Sequence, residues 1–102
     1  MSLEIKYWLF KSGYTTPVLT IKNNNDNDWE NCEIKINEQY ALKIEDIPVF
    51  VLDQDIKTTP ITDYIRKDGA SFNYHKETIK SVCVSCGKPH YGIFCGNFSL
   101  SD

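Results

Sequence analysis

The sequence predicts an all-β fold, a single antiparallel β-sandwich of immunoglobulin-like appearance. Apolar and polar residues alternate over short segments, which is typical of strands with one buried face. About seven to nine such segments are separated by turn-forming residues, and helical periodicity is almost absent. A chain of 102 residues is long enough for one hydrophobic core. We therefore treat residues 1–102 as one domain.

The clearest alternation lies in residues 28–44, which we interpret as a half-buried hairpin. Cys32, Ile34 and Ile36 share the parity predicted to face the core, and the alternation resumes at Tyr40 after a turn. The other predicted strands cover residues 4–10, 18–22, 47–52, 70–74, 78–85 and 91–100, with a short helical or irregular segment over residues 61–67.

Composition excludes several classes of protein. Eleven basic residues are scattered among fourteen acidic ones, with a net charge of −3, so no face is basic enough to bind duplex nucleic acid. No apolar run approaches the ~20 residues of a membrane-spanning helix. The first residues lack the features of a signal peptide, and residues 1–3 are compatible with a leader added to a trimmed native chain. A trimmed signal would favour an extracytoplasmic location, and its absence a cytoplasmic one.

Residues 23–28 form a run of oxygen-bearing side chains that raises the question of calcium. Asn23, Asn25, Asp26 and Asp28 are the candidate ligands. The run lacks the glycine, the glutamate and the flanking helices that an EF-hand loop requires. We therefore interpret it as a solvated loop between strands, closed by local Asn and Asp hydrogen bonds.

The middle of the chain carries an ordered set of motifs within residues 18–75. They are Ile21-Lys22-Asn23, Asp28-Trp29-Glu30-Asn31, Ile34-Lys35-Ile36-Asn37, Tyr40 and Asp68-Gly69-Ala70-Ser71-Phe72. This order resembles a group of small, uncharacterised bacterial β-sandwich proteins, many of them lipoprotein-like or exported. The resemblance implies structural roles: Trp29 and Phe72 in the core, Asn37 in a hairpin turn, and Gly69 at a turn with positive φ.

The sharpest candidate for chemistry is the cysteine-bearing tail. Cys83, Cys86, His90 and Cys95 form a four-ligand set for one structural zinc, although the spacing between Cys86 and His90 is one residue shorter than in a zinc knuckle. On an undistorted strand Cys83 and Cys86 point to opposite faces, which opposes a shared metal. A second alternative is a disulfide, either Cys83 with Cys95 on neighbouring strands or Cys32 with a tail cysteine. Free or buried thiols are the preferred interpretation.

No complete catalytic motif is present. A cysteine nucleophile with His75 or His90 as base would need the pair to meet in space, and nothing local in the sequence indicates that it does. Asp53 and Asp55 share one face of a possible strand, but two solvated charges at a strand end explain them as well. We therefore expect a protein that is not an enzyme and that needs no cofactor.

Aromatic residues point to binding instead. Some of them should be exposed, because there are more than one small core holds, and exposed rings on a sandwich can bind a carbohydrate or a protein. The apolar stretch over residues 7–10 is predicted to be a two-sided edge strand that could pair two copies of the chain. We expect a non-catalytic binding or accessory module, with a zinc-stabilised domain as the alternative. The aromatic candidates are Trp8, Phe10, Tyr14, Tyr64, Tyr74 and Tyr91.

Overall fold

Eight strands form two four-stranded sheets in the computed structural model, which describes residues 1–96 and 99–101. Two single-turn 3-10 helices, Asp53–Asp55 and Ile61–Asp63, flank the fifth strand. The strands are β1 (Leu3–Trp8), β2 (Val18–Asn23), β3 (Trp29–Ile36), β4 (Tyr40–Ile47), β5 (Lys57–Pro60), β6 (Val82–Lys88), β7 (Gly92–Gly96) and β8 (Ser99–Ser101).

The two sheets have different strand orders. The first sheet runs β5-β2-β1-β8 and is antiparallel except for the parallel pair of β1 and β8. The second sheet runs β4-β3-β6-β7 and is antiparallel throughout. The predicted all-β class is confirmed, and two sheets of this kind are compatible with a β-sandwich.

The core consists of the inward-facing residues of both sheets. Alternation along β3 buries Cys32, Ile34 and Ile36, which confirms the predicted inward face of the hairpin. Trp29 and Phe72 are also buried, as the resemblance implies. These apolar side chains pack in one continuous cluster, so the alternation in the sequence determines which face of each strand meets the core.

The alternation of β3 is interrupted near its start. Trp29 and Cys32 are both buried although they are three residues apart, because Asn31 between them has φ of +59° and shifts the parity of the strand. The Trp29 ring then lies directly against the backbone of Gly92. A Cβ atom at Gly92 would stand 2.6 Å from Cζ3 of Trp29, so only glycine fits there without displacing the ring.

The predicted strand over residues 47–52 is wrong. Ile47 is the last residue of β4, and beyond it the chain forms a loop in which Val51 is 71% exposed. Several backbone amides of this loop donate hydrogen bonds to side chains, and the Phe50 amide donates to the carbonyl of Asn23. Asp28 accepts a hydrogen bond from the Val49 amide at 2.7 Å, and Asp55 accepts one from the Val51 amide at 3.0 Å. The apolar run therefore pairs with a neighbouring strand only at Ile47, within β4, and at Val49, through one isolated bridge to Asn23 of β2.

The predicted pairing of two copies through residues 7–10 is also not supported by the position of that stretch. β1 ends at Trp8, and its residues 6–8 lie between β2 and β8, so the main-chain groups of this part of the strand are paired on both sides. Tyr7 faces the core, and Phe10 lies in the turn that follows. An interior strand of this kind offers no free edge to a second copy.

The Asn and Asp side chains of residues 23–28 bind the protein's own backbone. The buried Asn23 donates from Nδ2 to the carbonyl of Ile47 at 2.8 Å and accepts from the Asn25 amide at 2.8 Å. Among the described residues, no group of three His, Cys, Asp or Glu side chains is placed to hold a metal ion. The predicted local hydrogen bonds are present, but Asn23 is fully buried and is not part of a solvated loop.

The turn at Asp68 and Gly69 is closed by an ion pair. Gly69 has φ of +88°, as predicted. Arg66 donates from Nε and Nη2 to the two carboxylate oxygens of Asp68, at 3.0 and 2.7 Å, and the Ala70 amide donates to the same carboxylate. These hydrogen bonds, that of Arg66 above all, lower the pKa of Asp68 to about 2. The ionised carboxylate is therefore favoured by the fold.

We expect Asp68→Asn to destabilise the protein in a pH-dependent way. The folded pKa of Asp68 is below its ordinary value of 3.8, so the turn stabilises the fold above about pH 4 and loses that effect as pH falls towards 2. Urea unfolding should be measured from pH 6 to pH 2. The free energy of unfolding of the wild type should exceed that of Asp68→Asn by a constant amount down to about pH 4, and the difference should disappear as the pH falls towards 2. Asp26→Asn, a change in an exposed loop, is the control. A difference between Asp68→Asn and wild type that does not change with pH would contradict this result.

Candidate functional site

A concavity of about 330 Å³ lies on the outward face of the first sheet. It extends over β1, β2 and β5, and the first 3-10 helix forms one wall. We call it the Trp8 groove, since Trp8 is the only aromatic residue among those that line it. The lining residues are Glu4, Lys6, Trp8, Lys11, Thr20, Lys22, Asp53, Ile56 and Thr58.

Strand register brings these side chains together. Alternation along β1 buries Ile5 and Tyr7 in the core and places Lys6 and Trp8 on the outward face. Lys6 lies opposite Thr20 of β2, and Thr20 lies opposite Thr58 of β5. The floor of the groove therefore consists of directly opposed residues on three adjacent strands.

The orientation of Trp8 is fixed by one hydrogen bond and one cation contact. Its indole Nε1 donates to the hydroxyl oxygen of Thr20 at 2.9 Å, and Thr20 itself is nearly buried. On the ring face, the Lys11 ammonium lies 4.4 Å from a ring centroid, which is a cation–π contact. Trp8 thus presents a half-buried, oriented aromatic surface beneath the Lys11 side chain.

Cations outnumber anions in the Trp8 groove. The Glu4 carboxylate is shared by two ammonium groups, Lys6 at 3.6 Å and Lys22 at 3.7 Å. Lys11 makes no ion pair with any carboxylate in the part of the chain that the structure describes. With Asp53 as the second acid, the groove has a positive excess on a chain whose net charge is −3. Such a concavity favours an anionic ligand.

The four cysteines form two disulfides, Cys32–Cys86 and Cys83–Cys95. Each joins directly opposed residues on adjacent strands of the second sheet, β3 with β6 and β6 with β7. The preferred interpretation of free thiols is therefore wrong, and the disulfide alternative is confirmed: the two pairings that the sequence offered as alternatives are both present. The Cα atoms are 4.0 and 4.3 Å apart, close to the separation of non-hydrogen-bonded pairs in antiparallel sheets.

The predicted zinc ligands Cys83, Cys86, His90 and Cys95 are not assembled around one point. Cys86 faces the core and Cys83 faces outward, as parity along β6 predicts. The His90 ring instead contacts Trp29 edge-on, with the centroids 5.0 Å apart. In this disulfide-bonded structure the sulfur atoms are bonded to one another and do not form a thiolate set for zinc.

The other residues considered for catalysis also lie apart. His75 stacks on Tyr74 with the ring centroids 4.2 Å apart. Asp55 accepts hydrogen bonds from the Val51 and Leu52 amides and so closes the start of the first 3-10 helix, whereas Asp53 lines the Trp8 groove. All four cysteines are disulfide-bonded, which leaves no thiol to act as a nucleophile beside either histidine.

The aromatic candidates divide between the core and the surface. Tyr64 is fully buried, its hydroxyl is 2.8 Å from that of Thr59, and burial raises its pKa. Phe10 and Tyr91 are exposed, but Tyr91 lies beside the second sheet, away from the Trp8 groove. Trp8 is thus the predicted aromatic that combines partial exposure with a cation-lined concavity.

Sequence reasoning missed the polar residues around Trp8. The available signal was the parity of β1, where Lys6 and Trp8 alternate with the apolar Ile5 and Tyr7. The contributions of Thr20 and Lys11 depend on pairing between strands and on the turn after β1, and no local pattern encodes them.

A scan of protein-family models and searches of curated proteins and of solved structures find no match to this chain. The resemblance to exported bacterial β-sandwich proteins therefore stays a prediction. No helix among the residues that the structure describes is long and apolar enough to cross a membrane.

Proposed function

We propose that this protein is a non-catalytic binding module whose Trp8 groove takes an acidic carbohydrate. The observation that supports this proposal is the oriented Trp8 ring beneath the unpaired Lys11 ammonium, in a concavity with an excess of cations. A ligand with an apolar C–H face, hydroxyl groups and a carboxylate matches these groups.

The aromatic ring supplies the apolar contact. The C–H face of a sugar ring can lie on an indole, and the hydrogen bond to Thr20 keeps the Trp8 ring in place before binding. Little conformational freedom is then lost when the ligand binds. The Thr20 and Thr58 hydroxyls line the same groove and can exchange hydrogen bonds with sugar hydroxyls.

The lysines supply the charge selectivity. Among the described residues the Lys11 ammonium contacts the Trp8 ring and makes no ion pair, so it can leave the ring for a ligand carboxylate and open the ring face at the same time. Lys6 and Lys22 share one carboxylate and retain the capacity for further hydrogen bonds. A neutral sugar would gain the aromatic contact without these ionic contacts.

We further propose an immunoglobulin-like topology and an extracytoplasmic location. The order β4-β3-β6-β7 corresponds to strands C′-C-F-G of that fold, and β1-β2-β5 corresponds to A-B-E. The buried Trp29 at the start of β3 is also consistent with it. Two departures are the parallel strand β8 and disulfides that lie within one sheet.

Two disulfides favour an oxidising compartment.

The ligand proposal is tested by calorimetric titration with a galacturonic acid hexasaccharide, a neutral galactose hexasaccharide and poly-glutamate. We expect binding of the acidic saccharide that weakens with salt. Trp8→Ala should raise Kd at least about tenfold, which corresponds to ~1.4 kcal/mol, and Lys11→Gln about threefold. Tyr91→Ala and Lys67→Gln, which change an exposed ring and an exposed lysine outside the groove, are matched controls.

Each outcome decides between the alternatives. Equal binding of the neutral saccharide would remove the charge-selective part of the proposal and leave a carbohydrate-binding groove. Binding of poly-glutamate alone would replace the carbohydrate with an acidic peptide. If the Tyr91→Ala protein lost binding while the Trp8→Ala protein kept it, the ligand would lie beside the second sheet and the Trp8 groove would be excluded.

A further inference from the structure

The two disulfides occupy opposite faces of the second sheet. Cys32 and Cys86 are 3% and 2% exposed and lie in the core. Cys83 is half-buried and Cys95 is exposed, on the outward face and at the edge strand β7. Thiol–disulfide exchange requires a thiolate to reach a sulfur atom, so access from solvent differs strongly between the two bonds.

A concavity of about 360 Å³ adjoins the outer disulfide. Cys83, Cys95, Tyr91 and Ile93 line it, and Tyr91 and Ile93 are among the exposed large apolar residues. An apolar surface beside an exposed disulfide gives a second protein or a small thiol a place to dock next to the sulfur atoms.

A cation lies opposite one of these sulfur atoms. Lys35 of β3 is the direct register partner of Cys83, and both lie on the outward face and line the same concavity. Glu33, 3.7 Å from Lys35, and Glu38 are the acidic groups near this lysine. A neighbouring ammonium lowers the pKa of a cysteine thiol, and a thiol of lower pKa is a better leaving group. Cys83 is thus the sulfur suited to leave.

We propose that the Cys83–Cys95 disulfide is a thiol–disulfide exchange site that an external dithiol opens while the Cys32–Cys86 disulfide stays intact. One thiolate of the dithiol attacks the exposed Sγ of Cys95, the Cys95–Cys83 bond breaks, and Cys83 leaves as a thiolate opposite Lys35. The second thiol of the dithiol then displaces Cys95 from the mixed disulfide. The dithiol is oxidised to a disulfide, and the protein gains two thiols.

Opening this bond has a defined structural consequence. It removes the covalent link between β6 and β7 but leaves their main-chain hydrogen bonds and the β3–β6 link in place. The edge strand β7, with the exposed Ile93, is then held by its main-chain pairing with β6 and by the packing of Phe94 against the core. The proposed exchange therefore removes the covalent restraint on one edge of the second sheet without unfolding the core.

The experiment uses the oxidised full chain and dithiothreitol as the probe. Samples are quenched with iodoacetamide over time, and alkylated cysteines are mapped by mass spectrometry. We expect Cys83 and Cys95 to be alkylated first, with the aromatic fine structure of the near-ultraviolet circular dichroism spectrum retained at that stage. Lys35→Gln should slow this first phase about threefold, as a pKa change of about one unit in the leaving thiol implies. Lys67→Gln is the matched control.

Two results would overturn the proposal. Alkylation of all four cysteines in a single phase, together with loss of the circular dichroism signal, would mean that reduction follows global unfolding. Alkylation of Cys32 and Cys86 before the outer pair would reverse the predicted order of access. If the outer pair opened first but Lys35→Gln reacted at the wild-type rate, the exchange site would stand and the part assigned to Lys35 would be wrong.

Discussion

Replacing Cys32 and Cys86 together by alanine is expected to lower the free energy of unfolding by about 4 kcal/mol. A disulfide restricts the unfolded chain, and the restriction grows with the length of chain it closes. This one joins residues 54 positions apart. Both side chains are buried, and alanine is chosen because it places no polar group in the core. Urea unfolding of the two oxidised proteins measures the difference.

The matched variant replaces Cys83 and Cys95 by alanine. That disulfide spans 12 positions, for which the same relation gives about 3 kcal/mol. Because the outer pair contributes little packing, the measured loss of unfolding free energy should not exceed this value. An equal or larger loss in the outer variant would contradict the explanation from loop length.

Replacing Trp29 by alanine is expected to lower the free energy of unfolding by about 3–5 kcal/mol. The ring is 3% exposed, belongs to the core cluster and fills the space left by Gly92 and bounded by His90. Alanine would leave most of that space empty. Thermal and urea unfolding should both show the loss.

Two variants test why Trp29 matters. Trp29→Phe should lose less than half as much, because phenylalanine keeps most of the ring and removes the buried indole Nε1, which has no hydrogen-bond partner among the described residues. Trp8→Ala makes the same chemical change as Trp29→Ala at a half-buried surface position, and should have a much smaller effect. Equal losses at Trp8 and Trp29 would argue against a core role for Trp29.

Strand alternation explains why much of the fold could be predicted. The inward face of β3 follows from a period of two residues, which each strand carries in its own sequence. The run over residues 47–52 has no such period, so whether it forms a strand or a loop depends on the presence of a neighbouring strand. Asn23 and Asp28 provide loop contacts there instead, and these contacts are long-range.

The disulfides and the Trp8 groove were harder to predict, because they are formed by residues that are distant in the sequence. Cys83 and Cys95 lie on consecutive strands, so their pairing could be considered from spacing alone. The partner of Cys32 is set by the register of β3 with β6, across 54 positions of sequence. The Trp8 groove likewise needs the register of β1, β2 and β5, which no short window of sequence contains.

The two disulfides also determine how the chain would respond to a pulling force. Tension applied at the two ends would pass from Cys32 to Cys86, return along β6 to Cys83, and cross to Cys95. Residues 33–82 and 87–94 lie outside this path. More than half of the chain is therefore shielded from extension as long as both bonds are intact. Opening the outer bond would add residues 87–94 to the path that carries the tension and would remove residues 83–85 from it.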